Sequence, residues 1–365
     1  MGKYAGVARI GVNMIIRKRE SRTGSNDLHT VFRPCLIDEM VGQETNKNII
    51  RGNLDNNSVP HAYLFTGPAG CGKTTCARIV ALGLNCERGE KPSEPCLECD
   101  SCRSILNHNS MDTMEINIGA YGNKDDVLKI IEDLPTAPFS DRYKVLIMDE
   151  AHKLTSASQD VLLKIIEDGY QHVYFIFCTN EPQKLKAAFI DRCNVMHFGR
   201  ISTDLIYDLL KNVCEFEGME YKDVVLKYLA EESAGVPRKA LVWLKQVNDE
   251  GSWSAEVAKN IVGILMDEND LQIMDISRAL KKGQWKTAVN LYGKLSKLPA
   301  ETVRVAVAGY FVTCLKRSKF FGEGRIYSKI LDIITVPIYE AGKPGQHKFY
   351  NCMFKIVDIV NSSKK

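Results

Sequence analysis

The residues Gly67-Pro68-Ala69-Gly70-Cys71-Gly72-Lys73-Thr74 follow the pattern G-x-x-x-x-G-K-[ST]. Glycines at these places let backbone N–H groups turn toward phosphate oxygens, and a helix starting at the end of the loop adds the positive end of its dipole. Lys73 would reach the β- and γ-phosphates of ATP and the Thr74 hydroxyl would bind Mg²⁺, with Thr75 completing the nucleotide-contacting stretch. A glycine-rich turn without a ligand is the bland alternative, but it requires neither the lysine nor the threonine. The flanks agree with the motif: Tyr63-Leu64-Phe65 reads as a strand before the loop, and a helical pattern follows it.

A second set lies downstream in Val145-Leu-Ile-Met-Asp149-Glu150-Ala-His152, where four apolar residues run into paired acids. This places the carboxylates at the carboxyl end of a strand, where open α/β sheets bind ligands. Asp149 would hold Mg²⁺, and Glu150 would orient and deprotonate an attacking water, the division of labour that phosphoryl transfer needs. Alone, such a pair is most often a solvated loop entry; after an intact phosphate loop it completes the chemistry.

Cys86, Cys96, Cys99 and Cys102 form a third set, spaced Cys-x₉-Cys-x₂-Cys-x₂-Cys. Four soft thiolates at short spacing suit tetrahedral Zn²⁺ closed by protein ligands, a structural rather than a catalytic site. The Cys-x₂ steps also resemble iron–sulfur spacing, which stays open. Four unrelated thiols fit poorly, because the segment carries few apolar residues to bury them.

These residues need a scaffold, and the pattern supplies one. Short apolar runs at 62–66, 114–117, 145–148, 173–178 and 195–198 alternate with helical stretches such as 74–85 and 156–168. Near-continuous apolar runs suit parallel strands buried on both faces, so this part reads as an α/β sheet with helices on both sides. From about residue 202 the pattern turns helical, over 204–216, 222–230 and 239–247, with Gly235-Val236-Pro237 as punctuation. After Gly251-Ser252-Trp253-Ser254 come further helices at 256–266, 271–281, 286–295 and 302–316, and beyond residue 341 the pattern is weak.

A length of 365 residues allows two or three domains, and a net charge of +3 leaves any DNA contact to local charge. No apolar run approaches the roughly 20 residues of a membrane span. Among the twelve cysteines, Cys178 and Cys314 fall inside core patterns, which fits a reducing cytosol. Near the start, Lys3, Arg9, Arg17, Lys18, Arg19 and Arg22 stand with no acid before Glu20. A solvated basic tail is favoured over a transit peptide.

The order of these features resembles the gamma/tau subunits of bacterial DNA polymerase III, motor subunits of clamp loaders within the AAA+ ATPases. The likeness runs from Phe32-Arg33-Pro34 and Val41-Gly42-Gln43 through His61-Ala62-Tyr63 and the phosphate loop to Gly83-Leu84-Asn85-Cys86. It continues through Tyr143-Lys144-Val145, Leu162-Leu163-Lys164, Pro182-Gln183-Lys184-Leu185, Asp191-Arg192-Cys193 and Pro237-Arg238-Lys239-Ala240-Leu241. The resemblance implies a basic tail over 1–30, an ATP-binding AAA+ sheet domain over 31–200 with a zinc module at 86–102, a helical lid over 201–250, and a helical collar over 251–365. It further implies that Asn180 is the sensor at the end of the fourth run, that Arg192 is a finger entering a neighbour's ATP site, that Arg238 is a second sensor, and that Val41 covers the adenine.

Some positions depart from the family pattern. Asp191 stands for serine, Asn180 for threonine and Gly169-Tyr170 for a proline pair. Tyr121-Gly122-Asn123-Lys124 replaces a basic stretch near the DNA channel, leaving Lys124 and Lys129 as candidates there. The chain ends where the collar helices would, without room for the polymerase- and helicase-binding domains of the longer family form. The implied function is a cytoplasmic, Mg-dependent ATPase that loads a ring clamp onto primer–template DNA as part of a hetero-oligomer, a pentamer. A non-hydrolysing structural loader subunit and an AAA+ branch-migration motor are the competing readings; the intact motifs disfavour the first, and the cysteine insertion and Arg192-Cys193 the second.

Overall fold

Alternate side chains of a strand face opposite ways, so a run that is apolar at every position needs cover on both faces. In the computed structural model, the five runs form one parallel sheet: β3 (Ala62–Thr66), β4 (Thr113–Asn117), β5 (Lys144–Asp149), β6 (Val173–Thr179) and β7 (Asn194–His197), in the spatial order β4-β5-β6-β3-β7. Tyr63, Phe65, Val145, Ile147, Ile176 and Cys178 face one layer, which includes the helices Glu44–Asp55 and Lys73–Asn85. Leu64, Leu146, Met148, Phe175 and Phe177 face the other, with the helices Lys124–Ile131, Ser156–Asp168 and Ala187–Asp191.

Burial on both faces, expected of all five runs, holds for the three central strands only. β4 and β7 are the sheet's edges, and Glu115 and Val195 on them are exposed. An apolar run marks a strand but does not say whether it has a neighbour on each side. Gly169, in place of the proline pair, ends the helix Ser156–Asp168 at φ 58°, a left-handed turn that glycine adopts without strain.

The structure describes residues 4–10, 14–19, 27–89, 91–265, 268–295, 298–316, 318, 320–338 and 342–363. Lys3, Glu20 and Arg22 of the expected tail, and Met266 at the end of an expected helix, lie outside the described residues. The solvated tail itself is corrected. β1 (Tyr4–Ile10) pairs antiparallel with β2 (Met14–Arg19), with Gly6 opposite Lys18 and Val7 opposite Arg17. Arg17 bonds Glu39 and Lys18 bonds Glu217, partners 22 and 199 residues away that composition near the terminus does not reveal.

Two compact units divide the chain at Ala258 and Lys259. The first holds the hairpin, the sheet and three helices, Thr203–Glu217, Asp223–Glu232 and Pro237–Glu250. Ser202 caps the first of these by accepting the Leu205 N–H, Gly218 ends it at φ 65°, and Pro237 starts the third. The second unit is helical, with a core that includes Ile276, Val303, Phe311, Ile330, Phe349 and Ile356. It contains two helices that the sequence pattern left unread, Phe321–Ile334 and Gly342–Ser362. The latter opens with Gly342, Pro344 and Gly345, residues that break rather than announce a helix.

One buried cation ties the second unit together. Arg304, 6% exposed, pairs with both oxygens of Glu301 at 2.6 and 2.7 Å and donates to the Ile334 carbonyl, while Glu301 accepts the Ile338 N–H at 2.8 Å. Arg304→Ala leaves the end of Phe321–Ile334 and the following turn unpaired. We expect it to lower unfolding stability by about 2 kcal/mol in chemical denaturation, with a smaller loss for Glu301→Gln.

Candidate nucleotide site and cysteine cluster

Parallel pairing brings the carboxyl ends of the strands to one edge of the sheet, so Gly67, Asn117, Glu150 and Asn180 meet there although they are far apart in sequence. The phosphate loop leaves β3 and enters the helix Lys73–Asn85 through Gly67 at φ 134°, Gly70 at φ 77° and Gly72 at φ 99°. Space adds a second requirement at two of them. A Cβ on Gly67 would lie 2.1 Å from the Phe198 carbonyl oxygen, and one on Gly70 would lie 2.7 Å from Val236 Cγ1.

Lys73 is buried at 7% exposure, and its Nζ donates to the carbonyls of Gly67 and Pro68, each at 2.8 Å. Burial pulls its pKa below that of an ordinary lysine, with Cys178 and Asp149 opposing the shift. Thr74 Oγ1 donates to Asp149 Oδ2 at 2.7 Å, from the first turn of the helix Lys73–Asn85 to the end of β5. The other Asp149 oxygen accepts the Glu150 N–H at 2.8 Å. Glu150 stands at φ 56°, a left-handed conformation that turns the chain sharply after the strand, and its carboxylate pairs with Lys153 at 2.6 Å.

A cavity of about 320 Å³ opens over this loop. It gathers most of the residues singled out by sequence: Val41, Ala69, Gly70, Cys71, Gly72, Lys73, Thr74, Thr75, Asp149, Glu150, Asn180 and Arg238. Gly67 and Pro68 sit beneath it, as acceptors for Lys73. Arg192 is not in the cavity. It lies exposed at the end of the helix Ala187–Asp191, bonded to Glu167 at 2.8 Å. Lys124 and Lys129 are exposed on one short helix whose first turn also carries Asp125 and Asp126.

Sequence reasoning missed several residues that line the same cavity. Arg17, His29 and Arg33 add positive or titratable groups, and Glu39, Asn117 and Thr179 add acceptors. Burial lowers the pKa of His29, against the pull of Asp27. Thr179 is fully buried, and its hydroxyl bonds His152 Nδ1 at 3.2 Å and accepts the Glu181 N–H at 3.0 Å, which ties the end of β6 to the turn after β5. Arg33 stood in the Phe32-Arg33-Pro34 stretch, a signal that was available; Arg17 had no local one.

The four cysteine sulfurs all lie within 4.8 Å of one another. Tetrahedral zinc, at about 2.3 Å per thiolate, needs sulfurs about 3.8 Å apart, so the cluster fits the ion. Backbone donors already point at the sulfurs: Gly89 and Cys96 N–H to Cys86 at 3.1 and 3.2 Å, Glu98 and Cys99 N–H to Cys96 at 3.4 and 3.3 Å, and Cys102 N–H to Cys99 at 3.4 Å. Burial works against the Cys96 thiolate, yet these donors bring its pKa down to about 7. The expected shortage of apolar cover is corrected in part. Cys86, Cys99 and Cys102 are buried against Cys35, Leu82 and Ile105, which come from outside the 86–102 segment.

Comparison with known proteins gives this geometry its relatives. Residues 42–202 match the family described as DNA polymerase III, delta subunit. DNA polymerase III subunit gamma/tau of Mycobacterium bovis is 37% identical over 222 residues, 60% of this chain and 38% of that protein. Subunit tau of Bacillus subtilis is 34% identical over 341 residues, 92% of this chain and 59% of that protein. Subunit tau of Escherichia coli is 32% identical over 246 residues, 67% and 38%. The chain thus spans 38% to 59% of the length of these relatives. Among solved structures, a RuvB variant of Thermotoga maritima superimposes with a TM-score of 0.50 at 20% identity, over 67% of this chain and 79% of that one, a likeness of fold. With its phosphate loop, its parallel sheet and relatives along most of its length, the chain is similar to the bacterial DNA polymerase III gamma/tau subunits and has a fold of the AAA+ type.

Proposed function

We propose that this chain is the ATP-hydrolysing motor subunit of a sliding-clamp loader, which places a ring clamp on primed DNA during replication. One observation supports this most: a single cavity gathers Lys73, Thr74, Asp149, Glu150 and Arg238, while Arg192 is exposed and does not line it. Lys73 would exchange two backbone carbonyls for the β- and γ-phosphates. Thr74 and Asp149, already bonded to each other, would hold Mg²⁺, which neutralises charge on the phosphates when bound. Glu150 would orient the attacking water, Asn180 would report the γ-phosphate, Arg238 would couple it to the helical lid, and Val41 would cover the base. Cys86, Cys96, Cys99 and Cys102 would hold Zn²⁺ as a structural brace.

On this reading the partners are other loader subunits in a pentameric hetero-oligomer, the ring clamp and primer–template DNA, all in the cytoplasm. No helix among the described residues is long and apolar enough to cross a membrane. The match to a delta-subunit family keeps a second reading alive, a structural loader subunit that does not hydrolyse. The complete set of phosphate and magnesium side chains speaks against it. A branch-migration motor shares the fold, but fold alone does not carry that activity.

Steady-state ATPase with and without clamp and primed DNA decides between these readings; absent turnover would leave the structural subunit, and turnover that clamp and primed DNA do not stimulate would leave the branch-migration motor. Glu150→Gln is expected to keep ATP affinity while abolishing turnover, and Lys73→Ala to weaken binding itself. Arg192→Ala is expected to remove stimulation on assembly, on the order of a thousandfold in kcat, with nucleotide affinity nearly unchanged. In mixed assemblies a Lys73→Ala chain, with its finger intact, restores turnover to a neighbour that carries Arg192→Ala. Mixed assemblies of normal composition that stay inactive would remove the finger from Arg192. Metal analysis is expected to find one zinc per chain, and Cys99→Ser to lower the unfolding midpoint more than it slows hydrolysis.

A further inference from the structure

The hairpin at the start of the chain meets the cavity that the proposed function assigns to ATP. Successive side chains of a strand point to opposite sides, and β2 uses both. Arg17 Nε donates to Glu39 Oε1 at 2.8 Å, and Lys18 Nζ donates to Glu217 Oε2 at 2.8 Å. Glu39 ends the single turn Ile37–Glu39, two residues before Val41, the expected cover of the base. Glu217 ends the helix Thr203–Glu217, and Leu209 of that helix lines the same cavity as Arg17 and Val41. β2 therefore lies between the base-covering segment and a lid helix, with one ion pair to each.

Glu39 is 5% exposed, a buried carboxylate with its acceptors divided. Oε2 accepts the N–H groups of Cys35 at 2.8 Å and Leu36 at 3.3 Å, which closes the turn before Met40 and Val41. Oε1 takes Arg17. Removing the guanidinium would leave a buried negative charge without its counter-charge. That charge relaxes most readily by turning Glu39 toward water, which gives up both backbone bonds and frees the segment that carries Val41. On the other side, Glu217 Oε1 is buried without a hydrogen-bond partner among the described residues, so Lys18 matters to that carboxylate as well.

We infer that the N-terminal hairpin is a clasp on the nucleotide site and that Arg17 is a positioning residue for ATP, acting through Glu39 on the segment that covers the base. The inference rests on the cavity being an ATP site and adds to that reading a residue and a segment outside its motifs. It predicts an effect on affinity rather than on chemistry, because Arg17 acts through its bond to Glu39, beside the segment that would cover the base. In the full chain, Arg17→Ala is expected to weaken binding of a non-hydrolysable ATP analogue about tenfold and to raise KM to match, with kcat at saturating ATP within about twofold. The amides of Cys35 and Leu36 are expected to exchange hydrogen faster in that variant, with or without nucleotide. Adding Glu39→Gln to Arg17→Ala restores affinity to within about threefold of the unsubstituted chain, since the neutral amide needs no counter-charge. Arg17→Ala with unchanged affinity, a fall in kcat at unchanged KM, or unaltered exchange at Cys35 and Leu36 would overturn the clasp. Should the unsubstituted chain bind no ATP, the functional reading falls, and the exchange of those two amides alone decides whether Arg17 holds the turn.

Discussion

Burying one ammonium group, that of Lys73, is the constraint on which the site depends. A cation taken out of water needs oxygen atoms around it, and the chain supplies them from its own backbone, the carbonyls of Gly67 and Pro68. Folding those carbonyls back over Lys73 forces the loop through three positive φ values, and all three positions are glycine. The loop is then located from outside. The Phe198 carbonyl, just past β7, limits Gly67, and Val236, just before the helix Pro237–Glu250, limits Gly70. Strand β7 and the start of that helix thus set the phosphate loop, which explains why the glycines are fixed by packing as well as by torsion. Because burial holds the Lys73 pKa down, an incoming polyphosphate would restore what desolvation took away.

The parts of this site that were legible in the sequence share one property: they are continuous along the chain. The loop 67–74 contains its own glycines, lysine and threonine, and Asp149-Glu150 ends an apolar run that betrays its strand. The cysteine spacing belongs to the same class, since three of the four cysteines fall within one short helix entry, with Cys99 capping Asp100–Leu106. The sheet was legible for a related reason. Alternation assigns Val145 and Ile147 to one face and Leu146 and Met148 to the other before any neighbour is known.

What escaped was assembled from a distance. Arg17 looked like one more cation in a basic stretch, because its partner Glu39 and its strand partner Val7 carry no shared pattern. Thr179 was passed over for Asn180, one residue on, since its bond to His152 depends on the turn after β5. The edge strands β4 and β7 were not told from the central ones, although Glu115 and Asn117 on the first and Asn194 and His197 on the second interrupt or flank their apolar residues. Burial of Cys86, Cys99 and Cys102 draws on Leu82 and Ile105 of the two flanking helices and on Cys35, about fifty residues before Cys86 along the chain. Lys124, a candidate for DNA contact, shares the first turn of its helix with Asp125 and Asp126, so the local charge there is mixed.

Arg192 is the opposite case, a residue whose role came from resemblance and whose surroundings leave it available. Its partner Glu167 is on the helix Ser156–Asp168, and the two side chains are 54% and 41% exposed. An ion pair in that much water stabilises little, commonly below about 1 kcal/mol. A finger that stabilises charge on a transferring phosphoryl group acts at a thousandfold or more in rate, equivalent to about 4 kcal/mol. Against that difference the contact with Glu167 cannot hold Arg192 back. On the proposed reading that weak contact would give way to a stronger anion, and since the cavity of its own chain does not include Arg192, that anion would belong to another subunit.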